Sequence, residues 1–105
     1  MGEQEAQATI KQDVEGNEVF LYMKGTPDSP QCGFSAQVVQ VLKSYGINYE
    51  TRNVLEDWDI REGIKKYASW PTVPQLYVKG KFIGGSDIVA EMHRKGQLAD
   101  IFKGL

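Results

Sequence analysis

One cysteine and one histidine stand in a chain of 105 residues, and that scarcity excludes a good deal. A single thiol, Cys32, cannot close an internal disulfide, and His93 alone cannot complete a Cys/His zinc set. If the thiol works, it works with a group from outside the chain, which suits a reducing compartment rich in a small thiol. An excess of positive charge is also missing. Twelve basic and 14 acidic residues leave a formal net charge of −2, so nucleic acid or an anionic lipid surface is not attracted by general electrostatics. Long apolar runs are missing too: Val19 to Met23, the longest, is far short of the ~20 residues that cross a bilayer. No membrane and no nucleic-acid partner is expected. The opening Met1-Gly2-Glu3-Gln4-Glu5-Ala6 lacks a secretory apolar core, the arginines of a transit peptide, and the hydroxyl at position 6 that myristoylation favours. The expected location is the cytoplasm, or the mitochondrial matrix if a transit peptide has been removed.

The composition, 41% hydrophobic and 25% charged, is that of one globular domain over residues 1–105 with its core at about 19–98. After a polar segment with weak helical spacing (Ile10, Val14), Val19 to Met23 reads as a strand buried on both faces. Residues 25–31 carry two prolines and read as a loop. A helix follows with Val38, Val41, Leu42 and Tyr45 on its apolar face, stopped by Gly46. Ile47 to Val54 suggests an outer strand, and Asp57 can cap a helix bearing Ile60, Ile64, Tyr67 and Ala68. Gln75 to Val78 and Phe82-Ile83 form a hairpin around Lys79-Gly80-Lys81, closed by Gly84-Gly85. Two short helices end the chain, one with Ile88, Val89 and Met92, the other with Leu98, Ile101, Phe102 and Leu105. This order predicts an α/β fold with a mixed four-stranded sheet flanked by helices.

Cys32 falls at a helix N-terminus, where unpaired N–H groups and the helix dipole favour thiolate and lower a thiol pKa to roughly 3.5–7.5. A lone cysteine is commonly a small core residue. Here Pro30, Gln31 and Gly33 suit an exposed turn instead, and Gly33 admits the close approach of a partner.

Four segments, Lys24-Gly25-Thr26-Pro27, Pro30-Gln31-Cys32-Gly33-Phe34-Ser35, Trp70-Pro71-Thr72-Val73-Pro74-Gln75 and Gly84-Gly85-Ser86-Asp87, resemble in order and spacing the signatures of monothiol, Cys-Gly-Phe-Ser-type glutaredoxins. The resemblance implies a thioredoxin-like fold, glutathione as ligand, and a [2Fe-2S] cluster bridged between the two subunits of a homodimer. Such a cluster takes four thiolates; two copies supply two from Cys32, and two bound glutathiones would supply the rest.

For glutathione, the resemblance assigns the glycyl carboxylate to Lys24 and Arg61, the peptide backbone to Val73 before a cis-Pro74, and the γ-glutamyl group to Gly85, Ser86 and Asp87. Cys32, Gly33, Phe34 and Trp70 complete the groove. Surface charge is the plainer reading of Lys24 and Arg61, a turn that of Val73-Pro74, and a helix cap that of Asp87. Many relatives carry cysteine where Ser86 stands, so Cys32 is left as the sole redox centre and metal ligand. Trp58, Tyr67 and Trp70 are expected in the core or groove walls, His93 on the surface, and Lys65-Lys66 on a solvated face. Two functions follow: cluster carriage between scaffold and acceptor proteins, and a weaker glutathione-dependent thiol–disulfide exchange through Cys32 alone. A purely structural adaptor would require Cys32 to be dispensable.

Overall fold

The computed structural model describes residues 2–105. Met1, the first residue of the opening segment in which no address was read, lies outside them. A single four-stranded sheet has the order β4-β1-β5-β6: β1 (Val19–Met23), β4 (Glu50–Asn53), β5 (Gln75–Val78) and β6 (Lys81–Gly84). Strand β1 runs parallel to β4 and antiparallel to β5, which is antiparallel to β6. The predicted mixed sheet is therefore present, with helices on both faces.

Alternation along β1 divides the core. Val19, Leu21 and Met23 join Val38, Leu42, Val89, Leu98 and Phe102 on one face, beneath α2 (Gly33–Tyr45), α4 (Ser86–Arg94) and α5 (Gln97–Phe102). Phe20 and Tyr22 join Ala6, Ile10, Val14, Ile60, Ile64 and Tyr77 on the other, beneath α1 (Glu3–Glu15) and α3 (Trp58–Ala68). Each strand residue points opposite to its neighbour, so a strand buried throughout feeds two separate cores.

Several elements depart from expectation. The opening segment is a 13-residue helix whose Ala6, Ile10 and Val14 are buried; one apolar residue per turn is enough because Gly63 of α3 lets the two helices approach closely. A Cβ at Gly63 would lie 3.0 Å from Ile10 Cδ1. The outer strand is confined to residues 50–53, and 54–56 form a 3-10 turn. Asn53 causes the switch: its Oδ1 accepts the N–H groups of both Leu55 and Gly25, which ends the ladder with a side-chain turn. The expected loop contains a two-stranded ribbon, β2 (Gly25–Thr26) with β3 (Ser29–Pro30). Leu105, expected on an apolar helix face, lies beyond α5 and is exposed. On α2, Val39 is buried while Val41 and Tyr45 are only partly so.

This topology brings four chain segments to one end of the sheet. Met23 ends β1 there. Because β5 is antiparallel to it, Gln75, the first residue of β5, pairs with Tyr22, and Gly84, the last of β6, pairs with Leu76. The N-termini of α2 and α4 open at the same end.

Candidate functional site

Cys32 is the N-cap of α2, in extended conformation with φ −155° and ψ 136°. The first-turn N–H groups of a helix have no intrahelical partner. Two of them reach the sulfur here: the Ser35 N–H, which is the main influence, and the Phe34 N–H hold the thiol below its ordinary pKa, helped by the Lys24 charge and the Ser35 hydroxyl and opposed by partial burial. Ser35 is fully buried, and its Oγ also accepts the Lys24 N–H at 3.1 Å. One hydroxyl thus ties the end of β1 to the start of α2. The motif containing Ser35 was legible, but the residue's role was not, because it depends on a contact across 11 positions.

A cavity of about 410 Å³ opens beside the thiol. Of the residues singled out in the sequence, Lys24, Cys32, Phe34, Arg61, Trp70, Val73, Pro74, Gly85, Ser86 and Asp87 all line it. Gly33 does not; it is exposed beside Cys32, and a Cβ there would meet nothing within 4 Å. Lys65, Pro71, Thr72 and Ile88 also line the cavity. Lys65 therefore corrects the expectation of a solvated face. One helical turn separates it from Arg61, so both point the same way, and Lys65 is held by Glu62 at 2.9 Å. Lys66 does face solvent, paired with Glu3. Three cations, Lys24, Arg61 and Lys65, consequently stand along the cavity.

The opposite wall is backbone. The Val73–Pro74 peptide is cis, as the resemblance implied. Among the described residues no acceptor meets the Val73 N–H. Trp70 packs against Phe82, and its buried indole N–H has no partner either. Gly85 fits against this wall because it lacks a side chain: a Cβ would lie 3.3 Å from the Pro74 carbonyl and 3.5 Å from the Trp70 nitrogen. Gly85 is the N-cap of α4, so Ser86 and Asp87 occupy its first turn. The Ser86 hydroxyl donates to Gln37 Oε1 at 2.6 Å, joining α4 to α2, while Asp87 is exposed at the cavity mouth.

Two aromatic expectations divide. Tyr67 packs on Tyr77 in the core, whereas Trp58 is 67% exposed with the Arg61 guanidinium 5.7 Å from its ring. Trp58 leaves the core because Asp57 caps α3 through the Ile60 N–H, which places it at the first helical position and on the solvent side. His93 is exposed and meets Tyr45 at 2.6 Å. No group of three or more His, Cys, Asp or Glu side chains able to hold a metal occurs among the described residues.

A mixed sheet carrying an N–H-stabilised thiol at the start of α2, opposite a cis-proline loop, defines a domain of the thioredoxin-like class. The Glutaredoxin family model matches residues 19–83. A monothiol glutaredoxin described as ycf64-like and uncharacterized, from Synechocystis, is 52% identical over 94% of this chain and 92% of its own length. Monothiol glutaredoxin-S4, mitochondrial, from rice is 50% identical over 88% of this chain, which spans only half of that relative's length. The solution structure of reduced poplar apo GrxS14 superposes with a TM-score of 0.79 at 49% identity, covering 90% of this chain and 86% of its own. The buckwheat glutaredoxin–glutathione complex superposes with a TM-score of 0.83 at 27% identity, covering 94% and 88%. The chain belongs to the glutaredoxin family, among its monothiol members.

Proposed function

We propose that this chain binds glutathione in the cavity beside Cys32 and that two copies carry a [2Fe-2S] cluster between them, accepting it from scaffold proteins and delivering it to acceptors. The observation that carries the reading is the thiol itself: a single sulfur, stabilised as thiolate, at the lip of a cavity with cations along it and no second protein thiol. Glutathione fits the charges. Lys24, Arg61 and Lys65 suit its glycyl carboxylate, the Val73 backbone its cysteinyl peptide group, and the first turn of α4 its γ-glutamyl carboxylate, with Asp87 toward the ammonium. The glutathione complex of the buckwheat relative supports this ligand.

The donor set fits a shared cluster and not a private one. Each copy offers one thiol and, among the described residues, no cluster of three or more His, Cys, Asp or Glu side chains able to hold a metal, so the four sulfur ligands of a [2Fe-2S] cargo would be two Cys32 and two glutathione thiolates. In this scheme the chain's own residues orient glutathione and favour the Cys32 thiolate; the bound tripeptides, free to dissociate, make the cargo easy to release. A reducing compartment is required, and the rice relative named as mitochondrial supports the mitochondrion as its place.

The depressed thiol also favours a second reading, deglutathionylation. The Cys32 thiolate attacks the glutathionyl sulfur of a protein mixed disulfide, and the protein thiol leaves. A glutathione thiolate then attacks the Cys32 adduct, releasing oxidised glutathione and restoring Cys32.

Anaerobic iron–sulfide reconstitution with and without glutathione, read by visible absorption and native mass, tests the primary reading. A glutathione-dependent cluster spectrum on a dimer, absent in Cys32→Ser, supports carriage. No cluster under either condition, with turnover on a glutathionylated peptide, makes the exchange reaction the function.

A further inference from the structure

Gln75 is a fully buried amide at the head of β5, and neither the sequence motifs nor the proposed glutathione site gives it a task. Its Nε2 donates to the Thr72 carbonyl at 3.1 Å and to the Trp70 carbonyl at 3.3 Å. Its Oε1 accepts the Tyr77 hydroxyl at 2.8 Å. Burial first and Tyr67 second push the pKa of that hydroxyl up, which favours its protonated, donating form. The two carbonyls can only accept, so they take the NH2 side of the amide, and the Tyr77 hydroxyl donates to the oxygen that remains, completing the set.

The consequence lies in peptide geometry. The Thr72–Val73 bond is trans, since the cis bond of this loop is Val73–Pro74. In a trans peptide the C=O and N–H point in opposite directions. Drawing the Thr72 oxygen inward to Gln75 therefore turns the Val73 N–H away from Gln75 and out of the loop's own hydrogen bonding, where no described residue accepts it. From this we infer that Gln75, braced by Tyr77, is a positioning residue that aims the Val73 N–H at the ligand's peptide carbonyl. The inference rests on the proposed glutathione reading of the cavity. It deepens that reading by assigning specificity for a peptide thiol, which offers a carbonyl at that place, over a small thiol lacking one.

The test compares the native chain with Gln75→Met, which keeps the volume but removes both donors, and Tyr77→Phe, which leaves the amide and removes only the donor to its oxygen. Calorimetric titration with glutathione should show affinity about ten-fold lower in Gln75→Met, the loss of one well-placed hydrogen bond, and a smaller loss in Tyr77→Phe. In 1H–15N spectra, glutathione should shift the Val73 amide in the native chain and not in Gln75→Met, while the Asp87 amide shifts in both. A merely structural role would lower Tm without separating these two amides. Without ligand, Gln75→Met should already displace the Thr72 and Val73 amide signals. If it leaves them in place, or if both variants bind glutathione within two-fold of the native chain, the inference is overturned. A native chain that binds no glutathione overturns the ligand reading instead, and the ligand-free spectra still judge the clamp.

Discussion

Ser35→Ala removes one oxygen from a fully buried position and should be felt in both stability and chemistry. The Lys24 N–H loses its 3.1 Å acceptor in a place where water does not replace it, which costs about 1–2 kcal/mol. For a domain of this size that lowers Tm by roughly 5–10 °C. The Cys32 thiol also loses the Ser35 hydroxyl but keeps the Ser35 and Phe34 N–H groups and the Lys24 charge, so its titration should move up without reaching an ordinary thiol value. A thiol whose folded-state pKa lies below its unfolded value adds stability that is full above the unfolded pKa and disappears as pH falls through the folded one. The variant's deficit should accordingly be larger at about pH 9.5 than at about pH 6. Thermal unfolding at both pH values, together with the pH dependence of iodoacetamide alkylation, measures all three effects. An unchanged alkylation midpoint and a pH-independent Tm deficit would refute the coupling of Ser35 to the thiolate.

Lys24→Ala should raise the alkylation midpoint and weaken glutathione binding about ten-fold, and Asp87→Ala should weaken binding with no change in the midpoint; calorimetry alongside the alkylation profile separates them. Asp13 accepts from the Tyr22 hydroxyl and twice from Arg52. Asp13→Ala leaves the buried hydroxyl unpaired and should cost about 2 kcal/mol in urea unfolding, most of it from Tyr22, since Arg52 is 38% exposed and solvates itself. Gly84→Ala combines φ +153° with a Cβ only 2.8 Å from Ile88 Cβ and Cγ2, stiff β-branched atoms, and should cost about 2–3 kcal/mol in the same assay. Lys79→Asn, in a tight turn where Lys79 has φ 51° and Gly80 φ 80°, should stabilise by roughly 0.5 kcal/mol, because asparagine accepts positive φ more readily.

Much of the fold was written in local patterns. The buried strand Val19–Met23, the Asp57 cap, the stop at Gly46 and the 75–84 hairpin each follow from neighbours in sequence, and side-chain periodicity acts at that range. Cys32 at a helix start was legible for the same reason. What stayed hidden rests on contacts between distant positions. α1 looked weak because its stripe is narrow, and only Gly63, more than 50 residues later, makes that stripe sufficient. Asn53 ends the outer strand within the expected span, but the role of its side chain, which serves Gly25 across 28 positions, had no local signal.

The sequence by itself determined which chemical groups the molecule owns: one thiol at a helix N-terminus, cations and turn backbone in signature order, and a single cysteine and a single histidine. Tertiary structure decided how those groups face one another. It drew Lys65 into the cavity beside Arg61, sent Trp58 to solvent, buried Ser35 between Lys24 and Cys32, and turned the Val73 N–H outward by holding the Thr72 oxygen. Residue types and their spacing are fixed along the chain, whereas the direction of a side chain or a peptide dipole is set by what packs and hydrogen-bonds across the sheet.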